Sequence, residues 1–377
     1  MDYTKHALEL HKKYSGKIST KLRDDSTLDK DKLSTYYTPG VAAVSQAIAQ
    51  NVDLLPDYTW TNNLVAVISD GSAVLGLGNV GPKASMPVME GKALLFKHFA
   101  DIDSVPITLD VHSPDEIIAT VKAIAPSFGA INLEDIAAPQ CFEIEERLKA
   151  ELNIPVFHDD QHGTAIVVLA GLINAMKVVK KNIADCRVVT IGAGAAGTAI
   201  IKLLHKYGVS SIVAVDSRGI INDSRTDLND EKQALLPFLD SSQSGSLDDA
   251  VVGADVFIGV SRPGVLTQEM VRKMTSDSII FALSNPTPEI MPDEAKMAGA
   301  AVVATGRSDF PNQINNALAF PGIFRGALDN RVQKITDQHK IKVAETLTSL
   351  VATPTADKII PSIFDKRVVD AVASAVK

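Results

Sequence analysis

The feature that most constrains the fold is a glycine run between a strand-forming segment and a helix. Val188-Val189-Thr190-Ile191 leads directly into Gly192-Ala193-Gly194-Ala195-Ala196-Gly197. The four residues before the glycines are all β-branched, which favours a strand. A strand that turns on glycines straight into a helix is the opening unit of an α/β sheet. The pattern then repeats. Short apolar runs at 187–191, 212–215, 256–260, 279–283 and 301–305 are separated by helical segments. Such alternation predicts a mostly parallel, doubly wound sheet of the Rossmann type.

The N-terminal half shows a second α/β pattern, with strand-like runs at 64–69, 105–110, 129–133 and 154–157. Helices are expected at 3–14, at 41–51 and near 91–100, the last after the glycine-rich loop LGLGNVGP. Ser113-Pro114-Asp115-Glu116 is a helix start: Ser113 caps, Pro114 takes the first helical position, and Glu116 closes a capping box. A long apolar helix over 163–181 joins the halves. Residues 222–246 form a polar insert, and 333–377 form terminal helices. The expected division is an N-terminal catalytic and metal-binding α/β domain at 1–160, a nucleotide-binding Rossmann-type domain at 161–322 and a C-terminal helical extension at 323–377.

Charge narrows the partners. The net charge of −8 over 377 residues argues against nucleic acid and against an anionic membrane surface, both of which call for a basic face. Only Cys141 and Cys186 are present, too few for a disulfide framework, and both read as small core residues. The first residues lack an apolar leader region, and no run reaches the length of a spanning helix. A soluble, cytoplasmic protein is expected.

Two sets of residues carry chemistry. Gly192, Gly194 and Gly197 fit GxGxxG, with Ala195 and Ala196 opening the helix whose N-terminus would face a pyrophosphate. Asp216 ends the next strand 19 residues past Gly197, where an acid accepts from ribose hydroxyls and repels a 2′-phosphate. NAD is therefore favoured over NADP, with Arg218 pulling the other way. The second set is a pair of acidic clusters, Glu134-Asp135 and Asp159-Asp160, each following an apolar strand-like run. Carboxylates at the C-terminal ends of strands can converge into an oxygen cage for a hard divalent cation. His158 and His162 have the HxxxH spacing but lack the other groups of a zinc site; Phe157 to Asp160 reads as a strand end.

Several segments together resemble the malic enzymes. These are Tyr37-Thr38-Pro39-Gly40, Ser69-Asp70-Gly71 with the glycine loop, Met86-Pro87-Val88 with Gly91-Lys92, Leu133-Glu134-Asp135, Asp159-Asp160-Gln161-His162-Gly163-Thr164-Ala165, Ser284-Asn285-Pro286, and Asn315-Asn316 through Phe320-Pro321-Gly322. They run in the family's order, and the compact length is similar to the short bacterial form. The resemblance implies oxidation and decarboxylation of L-malate to pyruvate and CO₂ with reduction of NAD. Glu134, Asp135 and Asp160 would hold Mg²⁺ or Mn²⁺. Lys92 would be the general base, with a pKa lowered by burial and the cation, and Asp159 its orienting partner. Tyr37 would protonate C3. Asn285, Asn315 and Asn316 would donate to the dicarboxylate, with Asn285 also near the nucleotide, and Asp70 would stand behind them. The resemblance also implies a homodimer.

One departure is evident. Ser72-Ala73-Val74 stands where larger malic enzymes carry a substrate-binding arginine, which leaves Arg262 or Arg307 as candidate cations. The competing activity is metal-dependent decarboxylation of oxaloacetate without net redox change.

Overall fold

The structure is a computed structural model, and it describes residues 3–74, 77–111 and 113–377. Leu75 and Gly76 of the glycine-rich loop lie outside the described residues.

The N-terminal half builds a four-stranded sheet from β1 (Leu64–Ser69), β2 (Asp103–Thr108), β3 (Ala130–Leu133) and β4 (Val156–His158), in the order β2-β1-β3-β4. Every pairing in it is parallel. The second sheet has six strands: β5 (Arg187–Ile191), β6 (Ser211–Asp216), β7 (Gly219–Ile220), β8 (Val256–Gly259), β9 (Ile279–Ala282) and β10 (Val302–Thr305). Their order is β10-β9-β8-β5-β6-β7, parallel except for the short edge strand β7. The order reverses beside β5, so a crevice opens at the C-terminal ends of β5 and β8, where such sheets take ligands.

The helix Asp159–Val179 joins the sheets. Its core is continuous with that of both halves, from Val65 and Phe96 through Ile166 and Leu169 to Ile200 and Ile258. By length and composition this helix could cross a membrane, contrary to the sequence expectation that no segment could, yet 67% of its apolar window is buried inside the protein. The helix Phe320–Asp329 turns back onto the N-terminal half. Phe320 and Phe324 stack edge-on against Phe96 at ring-centroid distances of 4.8 and 5.1 Å. Such aromatic pairs add about 0.5–1.5 kcal/mol each beyond area burial.

Two helices start earlier than expected. The helix carrying Lys92 spans Gly81–Ala100 rather than beginning near residue 91. Pro82 lies in its first turn, where the missing N–H costs nothing, although Pro87 lies inside it. The connecting helix begins at Asp159 rather than 163, so Asp159 and Asp160 occupy its first turn, and the strand before them ends at His158. Carboxylates there complement the helix dipole.

Candidate active site

Register explains why distant acids meet. Ile68 of β1 pairs with Leu133 of β3, and Leu133 pairs with His158 of β4. The residues that follow each strand, Asp70, Glu134-Asp135 and Asp159-Asp160, therefore emerge side by side. Glu134, Asp135 and Asp160 present carboxylate oxygens within 4.8 Å of one another. The Asp135 N–H donates to Asp160 Oδ2 at 2.8 Å. Asp135 adopts a left-handed φ of 52°, a strained conformation that Asp tolerates better than most residues.

Lys92 reaches this cluster from the facing helix. Its Nζ lies 2.6 Å from Asp159 Oδ2 and 2.7 Å from Glu134 Oε1, and 4.4 Å above the Phe320 ring. All three charged side chains are buried. Burial pushes the Glu134 carboxyl well above the ordinary range, reinforced by the charges of Asp160, Asp159 and Asp135 and opposed by Lys92. Burial likewise pushes Asp159 up, to about 6. These acids outnumber the ammonium beside them, an arrangement of hard oxygen donors in negative excess that could hold a cation. The residues present fit a bound Mg²⁺ or Mn²⁺.

Burial alone lowers an ammonium pKa, but at Lys92 the carboxylates of Asp159, Glu134 and Asp160 outweigh it and hold the group above its usual value. Without a cation the lysine keeps its proton.

Surrounding groups fix the cluster. Asn132 Nδ2 donates to Glu134 Oε2 at 2.9 Å. Asp70 accepts from Ser72, whose hydroxyl oxygen accepts from the Ala137 N–H at 2.9 Å, and the Ala73 N–H donates to the Asp135 carbonyl at 3.0 Å. The buried Glu145 accepts from the His158 backbone N–H at 2.9 Å and pairs with His162 Nε2 at 2.8 Å. His162 is thus committed to Glu145, as suits a histidine outside a zinc site. Gly163 lies against Asp159: a Cβ there would fall 1.9 Å from Asp159 Oδ1 and 3.0 Å from Asn316 Cβ. Asn132 and Glu145 carry no sequence signal, since a lone Asn in a strand and a Glu in a charged helix give no periodic pattern.

The other expected residues sort differently. Asn316 adjoins the cluster through Gly163. Asn315 spends its Oδ1 capping the turn at Ala317, at 2.9 Å. Asn285 is exposed on the loop after β9, facing Gly306. Tyr37 is 67% exposed, and among the described residues no side-chain contact joins it to Lys92 or the acids. Arg307 is engaged by Asp309 at 2.6 Å and by the Pro286 carbonyl at 3.1 Å, and Arg262 lines the crevice of the second sheet; neither pairs with the acidic cluster.

That crevice, about 1130 Å³, is lined by Gly192, Ala193, Gly194, Asp216, Lys232 and Ser261 among others. Gly192 takes φ 105°, and a Cβ on Gly197 would strike the Gly192 carbonyl at 1.8 Å. Ala195 and Ala196 form the first turn of the helix Ala195–Tyr207, whose leading N–H groups have no intrahelical acceptor. Asp216 sits at the end of β6, beside the crevice, as expected. Its carboxylate, ending β6, already takes Arg225 at 2.8 and 3.2 Å and Lys232 at 2.6 Å. Both partners come from the polar insert, and their hydrogen bonds keep it ionised despite burial.

Comparison with known proteins agrees across the whole chain. The family profile described as "Malic enzyme, N-terminal domain" matches residues 16–149, and "Malic enzyme, NAD binding domain" matches 161–377. The chain is 56% identical to the "Bifunctional malic/malolactic enzyme" of Bacillus subtilis (strain 168), over 100% of this chain and 92% of that one. It is 47% identical to the "NADP-dependent malic enzyme" of Halomonas elongata, over 98% and 92%. The crystal structure of the NAD-dependent malic enzyme from Thermotoga maritima superposes with a TM-score of 0.96 at 50% identity, over 98% of each chain.

Proposed function

The chain belongs to the malic enzyme family, and from that premise we propose that it oxidises L-malate and decarboxylates the product to pyruvate, using NAD and a divalent metal. One observation carries this reading: a buried lysine within hydrogen-bond distance of two carboxylates, beside three acids gathered at the ends of parallel strands. Glu134, Asp135 and Asp160 are the residues that would hold the metal. Bound there, Mg²⁺ or Mn²⁺ supplies Lewis-acid polarisation of a substrate oxygen, and a nicotinamide nucleotide in the crevice supplies the hydride acceptor.

The chain's own residues move the protons. Lys92 Nζ takes the proton of the C2 hydroxyl, and Asp159 orients it. It can do so only once neutral, so cation binding by the acids that now hold its proton is a precondition. Asn316 and Asn285 are proposed to donate to the substrate carboxylates; Asn315 retains only its amide N–H₂ for this. Tyr37 is proposed as the acid that protonates C3 after CO₂ departs.

Tyr37's exposure bears on assembly. No residue of the helices Lys30–Tyr36 and Val41–Gln50 that flank it is buried, and Leu33, Tyr36, Val41 and Val44 are exposed with it. We propose a homodimer that covers this face, with Tyr37 reaching a site from there. NAD remains the favoured nucleotide, by way of Asp216. Arg225 and Lys232 soften the discrimination, so NADP is a weaker substitute rather than an excluded one.

The test is a stoichiometry. Purified protein with L-malate, NAD and Mn²⁺ should form NADH and pyruvate in equal amounts, and EDTA should abolish both. Pyruvate from oxaloacetate with no NADH from malate would replace this reading with the lyase.

A further inference from the structure

One carboxylate outside the acidic cluster ties together the two walls between which nucleotide and substrate must meet. Glu289 is fully buried. Its Oε1 accepts from the Ser261 backbone N–H at 2.9 Å, and its Oε2 accepts from the Ser284 backbone N–H at 3.0 Å. Ser261 opens the loop after β8 and lines the nucleotide crevice. Ser284 follows β9 and immediately precedes Asn285. Main-chain bonds join the same segments: the Leu266 N–H donates to the Glu289 carbonyl at 3.1 Å, and the Gly264 N–H to the Pro288 carbonyl at 3.3 Å. The fit beneath the carboxylate is tight. A Cβ on Gly259, the last residue of β8, would lie 2.4 Å from Glu289 Cδ and 2.7 Å from Oε1.

Burying a carboxylate against backbone N–H groups is costly compared with an apolar side chain of the same size. What the carboxylate adds is geometry. β8 and β9 are adjacent strands whose loops diverge, and a two-oxygen acceptor fixes the distance between them. Hydride transfer needs that distance, since misplacing reacting groups by about 1 Å can cost about 10²-fold in rate.

We propose that Glu289 is a positioning residue that sets the spacing between the nucleotide wall at Ser261 and the substrate amide of Asn285. The proposal rests on the reading above, in which the nucleotide fills this crevice and Asn285 meets a substrate carboxylate.

Two variants of the full chain test it. Glu289→Gln keeps the shape but turns an N–H₂ group toward a backbone N–H. Gly259→Ala keeps the carboxylate and displaces it. For each, NAD affinity, the KM for malate, kcat, Mn²⁺ affinity and Tm are measured. Both variants should weaken NAD binding and raise the malate KM by about tenfold, with Mn²⁺ affinity unchanged. A lower Tm with wild-type NAD affinity and malate KM in the folded protein marks a purely structural role and overturns the proposal, as does an effect on one ligand alone. Should Glu289→Gln fail to fold, Gly259→Ala decides by the same criteria. A wild-type protein that bound neither NAD nor malate would remove the underlying reading and this proposal with it.

Discussion

Lys92 Nζ lies 2.6 Å from Asp159 Oδ2, although 67 positions separate the two residues in the chain. The pair is buried, and Glu134 completes it from the other side. A lysine is placed here at a cost that packing alone would not repay, because burying ions is expensive unless they are fully paired. The pairing makes Lys92 a strong proton holder until the surrounding acids are neutralised. Under the roles proposed above, metal occupancy and base function are linked in one cluster.

Lys92→Ala follows directly. Loss of the general base should lower kcat by about 10²–10⁴-fold while leaving NAD affinity unchanged, since the nucleotide crevice lies at the other sheet. The metal-free variant should also lose about 3–5 kcal/mol of stability, the usual cost of stranding buried charges. Steady-state kinetics with a nucleotide titration and thermal melts check both. Near-normal turnover would remove Lys92 from the proton path.

Metal should stabilise the fold. Three acids crowd one volume with a single ammonium for balance, so Mn²⁺ should raise Tm. At a concentration about 100 times its Kd the gain is about 2.7 kcal/mol. Asp160→Asn should reduce the shift and weaken Mn²⁺ binding in parallel. A Tm indifferent to Mn²⁺ and EDTA contradicts the site.

On the proposed reading, nucleotide preference turns on Asp216 and its two cationic partners. Asp216→Ala removes the ribose acceptor and leaves Arg225 and Lys232 without their carboxylate, facing the position of a 2′-phosphate. The ratio of kcat/KM for NAD over NADP should fall by at least about tenfold, because NAD gives up a charge-assisted hydrogen bond while NADP acquires one. Lys232→Ala should move the ratio the opposite way. An unchanged ratio in Asp216→Ala would take this residue out of cofactor choice.

The thiols should be silent. Burial pushes Cys141 and Cys186 each up to about 12, so at pH 8 neither carries appreciable thiolate. A chromogenic disulfide reagent should find no fast thiol in the native protein and two in denaturant. A fast native reaction would show one of them exposed.

Much of this fold is legible from sequence, and the physical reasons are specific. β1 and β5 fall where their β-branched runs lie, and Ser113 forms the capping box that its spacing with Glu116 implies. Helix starts are harder to read. Pro82 and Pro87 mask the first turns of the Lys92 helix, and Asp159 and Asp160 read as a strand end when they are dipole-matched helix residues. At the site, the acids were legible because each follows a strand. Their electrostatics were not: the raised Lys92 depends on three carboxylates from two chain segments. The salt bridges that occupy Asp216 come from a polar insert with no motif. Tyr37's exposure lies equally beyond a motif, because burial is a property of the assembled surface.

The most direct measurement is anomalous diffraction from crystals soaked in Mn²⁺. A peak should appear bound to oxygens of Glu134, Asp135 and Asp160 together, at about 2.0–2.6 Å as hard-cation coordination requires, with Lys92 Nζ beside it. No peak at these three residues, or a peak elsewhere in protein that turns over malate, would contradict the account.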